Sequence, residues 1–208
     1  MPERSGRATR TRIDAERRRR QIIEATHRAT LRLGLHDLRM QDVAAELDVS
    51  TALIHYHFDT RDDLIEAMLR ATAAEEVAGV RALIDSAAEP ERRLAQAVEI
   101  YLPSERRDPS WVLWIDVWGE ALRDVNLRRI SEELDQAWVD LIGEIIRDGQ
   151  ATGVFTTDDP MDSAWRLCAM LDGLGTQVVL HETTMTRTKM RDHVRHAAAL
   201  ELGYELQF

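Results

Sequence analysis

The chain has 208 residues, enough to bury a substantial core and to divide into a small head and a larger body. Its formal net charge of −10 opposes any contact with nucleic acid unless the basic residues are segregated, and they are: from Met1 to Arg39 eleven arginines stand against five acidic residues. The single cysteine, Cys168, excludes an internal disulfide and a cysteine-built metal site. No apolar run of signal-peptide length precedes Ile22, and none reaches the roughly 20 residues of a membrane helix, so a cytoplasmic protein without a cofactor and without membrane contact is expected.

Apolar residues recur at spacings of three and four, with glycine and proline between the periodic segments and no alternating strand pattern, which predicts an all-α fold. Residues 1–12 read as a disordered basic arm whose Arg4, Arg7, Arg10 and Arg12 either reach into a minor groove or remain a solvated tail. A first helix is predicted from Ile13 to Leu33, with Ile22, Thr26, Ala29 and Leu33 on one stripe and a stop at Gly34. Two short helices follow over Met40–Leu47 and Thr51–Phe58. A longer one opens at Arg61 or Asp62, with Asp62 and Asp63 on the positive end of its dipole, and runs to about Ser86. Pro90–Leu102, Trp111–Leu122, Asn126–Thr152, Pro160–Glu182 and Thr186–Leu202 complete the pattern. The division expected is a DNA-binding head at 13–60 and a ligand-binding and dimerisation body at 61–208.

The stretch MQDVAAELDVSTALIHYHF is the most informative. Val43, Ala44 and Leu47 form an inner face on the first short helix. Val49, Leu53, Ile54 and Phe58 match it across the turn of Asp48, Val49 and Ser50, and Ser50 is placed to cap the second helix. At about 100° per residue the second helix leaves Thr51, Ala52 and His55 outward with Tyr56 at its edge, where a recognition helix reaches base edges in a major groove. His55 and His57 point about 200° apart and cannot share a metal ion.

Residues 13–70 resemble the TetR family of repressors, in particular its BetI-like branch. The matching residues are the arginine-rich first helix, Asp42-Val43-Ala44, Val49-Ser50-Thr51, Tyr56-His57-Phe58 and Arg61-Asp62-Asp63-Leu64. The resemblance implies DNA contacts from Ser50, Thr51, Ala52, Tyr56 and His57, and a phosphate contact from Arg61. With His55, and with Arg39 and Gln41 at the opening of the first short helix, these form the candidate DNA-binding set. The chain departs from the family pattern at three positions, where Arg39 replaces a hydroxyl residue, Asp48 a glycine and His55 an aromatic. Asp tolerates a left-handed turn, and Arg39 can pair with phosphate.

The body resembles the same branch more loosely, through Trp118-Gly119-Glu120-Ala121-Leu122-Arg123 and Leu171-Asp172-Gly173-Leu174. This implies a homodimer through the last two long helices, where Gly173 and Gly175 permit close approach or, equally, a kink. Trp111, Trp114 and Trp118 form an indole stripe at i, i+3 and i+7, joined by Ile115, Leu122 and Val125, which is either core or a pocket wall. Asp172 shares a face with Trp165, Cys168 and Val179, so its carboxylate needs a partner: an arginine across the dimer, an amide network or a cationic ligand. The candidate ligand-binding set is Trp111, Trp114, Trp118, Trp138, Trp165, Cys168 and Asp172. Its expected effector is a small molecule, cationic (choline-like or polyamine) or aromatic, while Asp116 and Glu120 project away from the stripe.

These readings converge on a ligand-responsive DNA-binding transcription regulator, a repressor released from a palindromic operator when effector binding changes the spacing of two heads, with the helix from Arg61 as the lever. No Ser-His-Asp, metal or phosphate-cradling arrangement supports an enzyme. The alternative is a helical dimeric interaction protein whose head binds protein instead of DNA.

Overall fold

The computed structural model describes residues 3–85, 88–181 and 183–208, with side chains from residue 13 onward other than that of 83. Among the described residues the protein is all-α, with no strand. Its helices are α1 (Glu3–Leu33), α2 (Met40–Glu46), α3 (Thr51–His57), α4 (Arg61–Ile84), α5 (Pro90–Tyr101), α6 (Pro109–Ala121), α7 (Val125–Ala151), α8 (Pro160–Leu180) and α9 (Arg187–Leu202). None of them is long and apolar enough to cross a membrane. The start of α1 differs most from expectation: the helix takes in the backbone from Glu3, ten residues before Ile13, so the segment read as a disordered arm is helical from residue 3. Arginine and alanine are good helix formers and no proline occurs between Pro2 and the end of α1, so no helix breaker of that kind ends it earlier. The arm's arginine side chains, and residues 86 and 182 at two expected helix ends, lie outside the described set.

The chain forms two compact units, Met1–Thr72 and Ala73–Phe208. The division falls inside α4 and not at its start, because Arg61 is bonded into the first unit and the buried Leu64, Ile65, Met68 and Leu69 belong to it. In the first unit α1 packs on α2 and α2 on α3. Ile22, Thr26 and Ala29 are fully buried. The two buried threonine hydroxyls on that face are satisfied within the helix, Thr26 donating to the Ile22 carbonyl and Thr30 to that of Thr26, each at 2.8 Å. Gly34 ends the helix at φ 85°. Asp48 takes φ 53°, the left-handed turn in which the family pattern has glycine.

In the second unit α7 is central, packed against α5, α6 and α8, with α9 laid on α8 and α6 also touching α8. Its buried face carries Ile130, Leu134, Trp138, Leu141, Ile142, Ile145 and Ile146. Arg93, only 7% exposed, ties α5 to its neighbours by donating to the Ile84 carbonyl and the Asp148 carboxylate, both at 3.0 Å. Aspartates start three of the helices: Asp108 caps α6, Asp124 caps α7 and Asp159 caps α8, and Thr186 does the same for α9. Leu122 and Val125 do not extend the tryptophan stripe; they sit in and beside the α6–α7 joint and are 75% and 71% exposed.

Candidate DNA-reading surface and ligand cavity

The helix pair α2–α3 is held from within by Val43, Ala44, Ile54 and Phe58, all buried. That leaves the predicted edge in solvent. Arg39, Gln41, Ser50, Ala52, His55 and Tyr56 are exposed, and Thr51, His57 and Arg61 are half-exposed. Tyr56 is 79% exposed, an unusual position for a large ring. Its edge meets His57, with ring centroids 5.1 Å apart. One expectation fails here. Ser50 occupies the N-cap of α3, but its hydroxyl makes no cap bond, and the Leu53 N–H bonds to the Ser50 carbonyl instead.

Arginines of α1 brace this edge. The Arg19 guanidinium lies 4.6 Å from the centroid of the Phe58 ring. Arg28 and Arg32 pair with Glu46 at 3.1 and 3.4 Å, fixing α1 against the end of α2. Burial, with the charges of Arg18 and Arg19, pushes the His57 imidazole below its usual range. Arg61 has a structural task that the sequence did not disclose. Its Nε–H donates to the Leu38 carbonyl at 2.7 Å and its terminal nitrogen to the His36 carbonyl at 3.2 Å, while Asp62 accepts at 3.2 Å. The guanidinium therefore stitches the start of α4 to the 34–38 turn. Among the described residues no group of three His, Cys, Asp or Glu is arranged to hold a metal ion.

The second unit contains a cavity of about 360 Å³, open to solvent on one side and walled by Trp111, Trp114, Trp118, Trp138 and Tyr101. Asp108 sets the aromatic wall. Its carboxylate accepts from the Ser110 and Trp111 N–H groups at 3.0 and 3.3 Å, starting α6 in the register that turns its tryptophans inward. It also accepts from the Ser104 N–H and hydroxyl at 2.8 and 2.6 Å, closing the preceding loop. The rings pack edge to face: Tyr101 against Trp138 at 4.6 Å and Trp111 at 6.0 Å, and Trp111 against Trp118 at 6.3 Å. Gly175 of α8 gives Trp111 its room, since a Cβ there would overlap the indole ring. Gly173 meets nothing within 4 Å and is exposed.

Besides Asp108, three carboxylates line the same space with no basic partner among the described residues: Glu76, Asp135 and Asp172. Glu76 accepts from the Trp114 indole N–H at 3.0 Å, Asp172 from the Tyr101 hydroxyl at 2.5 Å, and Asp135 from the Ser131 hydroxyl at 3.5 Å. Burial raises Glu76 above the usual carboxylate range, opposed by the Trp114 bond and helped by the charge of Asp108. Burial and the charge of Asp172 push Asp135 up to about 6, and burial raises Asp172 as well. Arg187 shares the Glu99 carboxylate with Arg191, at 2.9 and 2.6 Å, and hydrogen bonds hold Asp108 below its usual range in spite of burial.

Trp111, Trp114, Trp118, Trp138 and Asp172 thus meet at one cavity, whereas two other expected members do not line it. Trp165 is 48% exposed on the outer face of α8, and Cys168 is buried behind the wall, its thiol pushed up to about 12 by burial and by Asp172 and Asp135. Within the chain Asp172 is bonded by the phenol of Tyr101, a partner not weighed from the sequence. Tyr101, Glu76 and Asp135 were missed. The spacing of Asp135 and Trp138 at i, i+3 was the one local signal that could have found any of them.

A helix pair with a buried inner face and an exposed edge is a helix-turn-helix head, and the protein is a DNA-binding transcription regulator rather than an enzyme. Residues 22–68 match the model of the bacterial regulatory proteins of the tetR family, and residues 90–203 match the C-terminal domain of BetI-type transcriptional repressors. The chain belongs to the TetR family, with a BetI-type body. The BetI regulator of Escherichia coli K12 is 24% identical over 184 residues, covering 86% of this chain and 91% of that protein. A transcriptional regulator of Saccharomonospora viridis, solved in complex with choline, is 32% identical with a TM-score of 0.81, covering 90% of this chain and 98% of that one. A TetR regulator of Haloarcula marismortui is 26% identical at the same TM-score of 0.81, covering 90% and 99%. The expectation of a DNA-binding regulator holds, and the alternative of a scaffold whose head grips protein gives way to it.

Proposed function

We propose that the protein is an effector-responsive cytoplasmic repressor whose body senses an organic cation of the quaternary ammonium class, with choline as its simplest form. The observation that carries this reading is the set of three part-buried carboxylates, none ion-paired among the described residues, inside a wall of four tryptophans and a tyrosine. Isolated carboxylates out of water are costly, and aromatic faces attract alkylammonium groups by about 0.5–2 kcal/mol each. The choline complex of the Saccharomonospora viridis regulator supports the same chemistry.

Thr51, Ala52, His55 and Tyr56 read the operator, with Ser50, His57, Arg39 and Gln41 on its backbone. Two subunits join through α8 and α9, where Trp165, Ala169, Gly173 and Leu180 leave an exposed stripe of small and apolar residues on α8, with Leu200 exposed on α9. Effector and operator then compete through dimer geometry, with a coupling of about 1–3 kcal/mol giving a 5- to 150-fold loss of operator affinity. The test is calorimetric titration with choline and with its neutral isostere 3,3-dimethylbutan-1-ol. Choline binds and the isostere does not; equal binding of both sinks the reading.

A further inference from the structure

The cavity holds more negative charge than one ammonium group neutralises, and that charge lies at two poles with separate supports. The first pole is Glu76 from α4, held by the Trp114 indole at 3.0 Å and pressed by the charge of Asp108. The second is the pair Asp135 of α7 and Asp172 of α8, in which Asp172 presses on Asp135 and the Tyr101 hydroxyl donates to Asp172 at 2.5 Å. The poles share no hydrogen-bond partner among the described residues, and each has its own aromatic cover: Trp114 at the first, Tyr101 and the Trp138 ring packed on it at the second. Among the described residues the one basic side chain on the wall, Arg187, shares Glu99 with Arg191 and is bonded to neither pole.

A cavity of about 360 Å³ falls in the range of sites for drug-sized ligands, more than a single trimethylammonium group fills. A monocation seated at one pole leaves the other carboxylate part-buried and uncompensated, whereas an alkyl chain with a cation at each end offsets both and lays its methylenes on the indoles between.

We infer that the preferred ligand class is an organic dication, a bis-ammonium or diamine spanning Glu76 and the Asp135–Asp172 pair. The inference rests on the cation-sensing reading of the cavity and names its ligand more closely. A second cation–carboxylate and cation–π contact multiplies affinity by about tenfold or more.

The test titrates the full chain calorimetrically with choline, hexamethonium, putrescine and 3,3-dimethylbutan-1-ol, and repeats the series with Glu76→Gln and Asp172→Asn. The amide introduced by Glu76→Gln still offers a carbonyl to Trp114, and a thermal melt of each variant verifies folding. Hexamethonium or putrescine binds about tenfold or more tighter than choline, and Glu76→Gln weakens that dication by about tenfold more than it weakens choline, whereas Asp172→Asn weakens both. Choline binding as tightly as both dications, or Glu76→Gln weakening all cations alike, overturns the inference while leaving the cation reading intact. The neutral alcohol binding as well as choline overturns both.

Discussion

Arg61 and Leu38 are joined by a 2.7 Å hydrogen bond from guanidinium to carbonyl, across 23 residues of chain. The arginine that opens α4 is thereby committed to holding the head together, and the same group turns toward the 34–38 loop that precedes the recognition pair. Arg61→Ala removes several charge-assisted bonds at once and lowers the stability of the head by about 1–3 kcal/mol. Arg61→Lys recovers little, because one ammonium cannot reproduce the fork. Thermal denaturation followed by circular dichroism measures both. An Ala variant that melts with wild type and loses only DNA affinity would mean that the arginine serves phosphate alone.

Tyr56 separates contact from fold. At 79% exposure it contributes little to packing, so Tyr56→Ala leaves the melting temperature unchanged and weakens operator binding by about 1–3 kcal/mol. Gel shifts at two salt concentrations read this, together with the steep salt dependence expected of the arginine-rich first helix.

Acid weakens effector binding. Asp135 holds its proton up to about 6, under the influence of burial, Asp172 and, more weakly, Glu132, with the Ser131 bond opposing. A cation favours the ionised carboxylate, so binding expels a proton below that value and affinity falls as pH drops through about 6. For folding the sign is opposite. A carboxyl whose proton is held more tightly in the folded state favours the fold at low pH, and that contribution is lost as pH rises from the usual carboxylate range through about 6. Titrations in buffers of different ionisation enthalpy report the released proton, and Asp135→Asn flattens the profile. A wild-type affinity that stays level across this range refutes the assignment.

Gly175 and Gly173 part company. A methyl group at Gly175 drives into Trp111, so Gly175→Ala costs about 1–3 kcal/mol and distorts the cavity, lowering choline affinity. Gly173→Ala has open space, and its effect on the isolated body is within about 0.5 kcal/mol. Equal melting temperatures for the two variants would contradict the close approach of α6 and α8.

Ala169 lies on the exposed stripe of α8 with Trp165 and Gly173. If the proposed α8–α9 pairing is right, Ala169→Glu sets a charge into the interface and yields a monomer in light scattering, with operator affinity lost in parallel. A variant that stays dimeric moves the interface elsewhere.

The head was legible because its information is local. Two short apolar faces, a three-residue turn and an aspartate able to adopt φ 53° all fall within twenty consecutive residues. The cavity was half legible. The tryptophan stripe stands out by its periodicity, and Asp172 by being a carboxylate on an apolar face. Tyr101, Glu76 and Asp135 are ordinary residues on three other helices, and only the packing of α4, α5, α7 and α8 around α6 brings them together. Trp165 misled for the same reason: helical phase says which residues share a face, not whether that face turns to the core or to solvent. Arg61 was read for its charge alone, because the carbonyls it bonds lie more than twenty residues back along the chain.

The double role of Asp108 reaches further than the helix it begins. One side chain closes the loop at Ser104 and fixes the phase of Trp111, so a single carboxylate ties the backbone ahead of α6 to the first ring of its aromatic row. Loss of that one group unfastens both at a stroke, which makes a residue that touches no indole face the keystone of the wall.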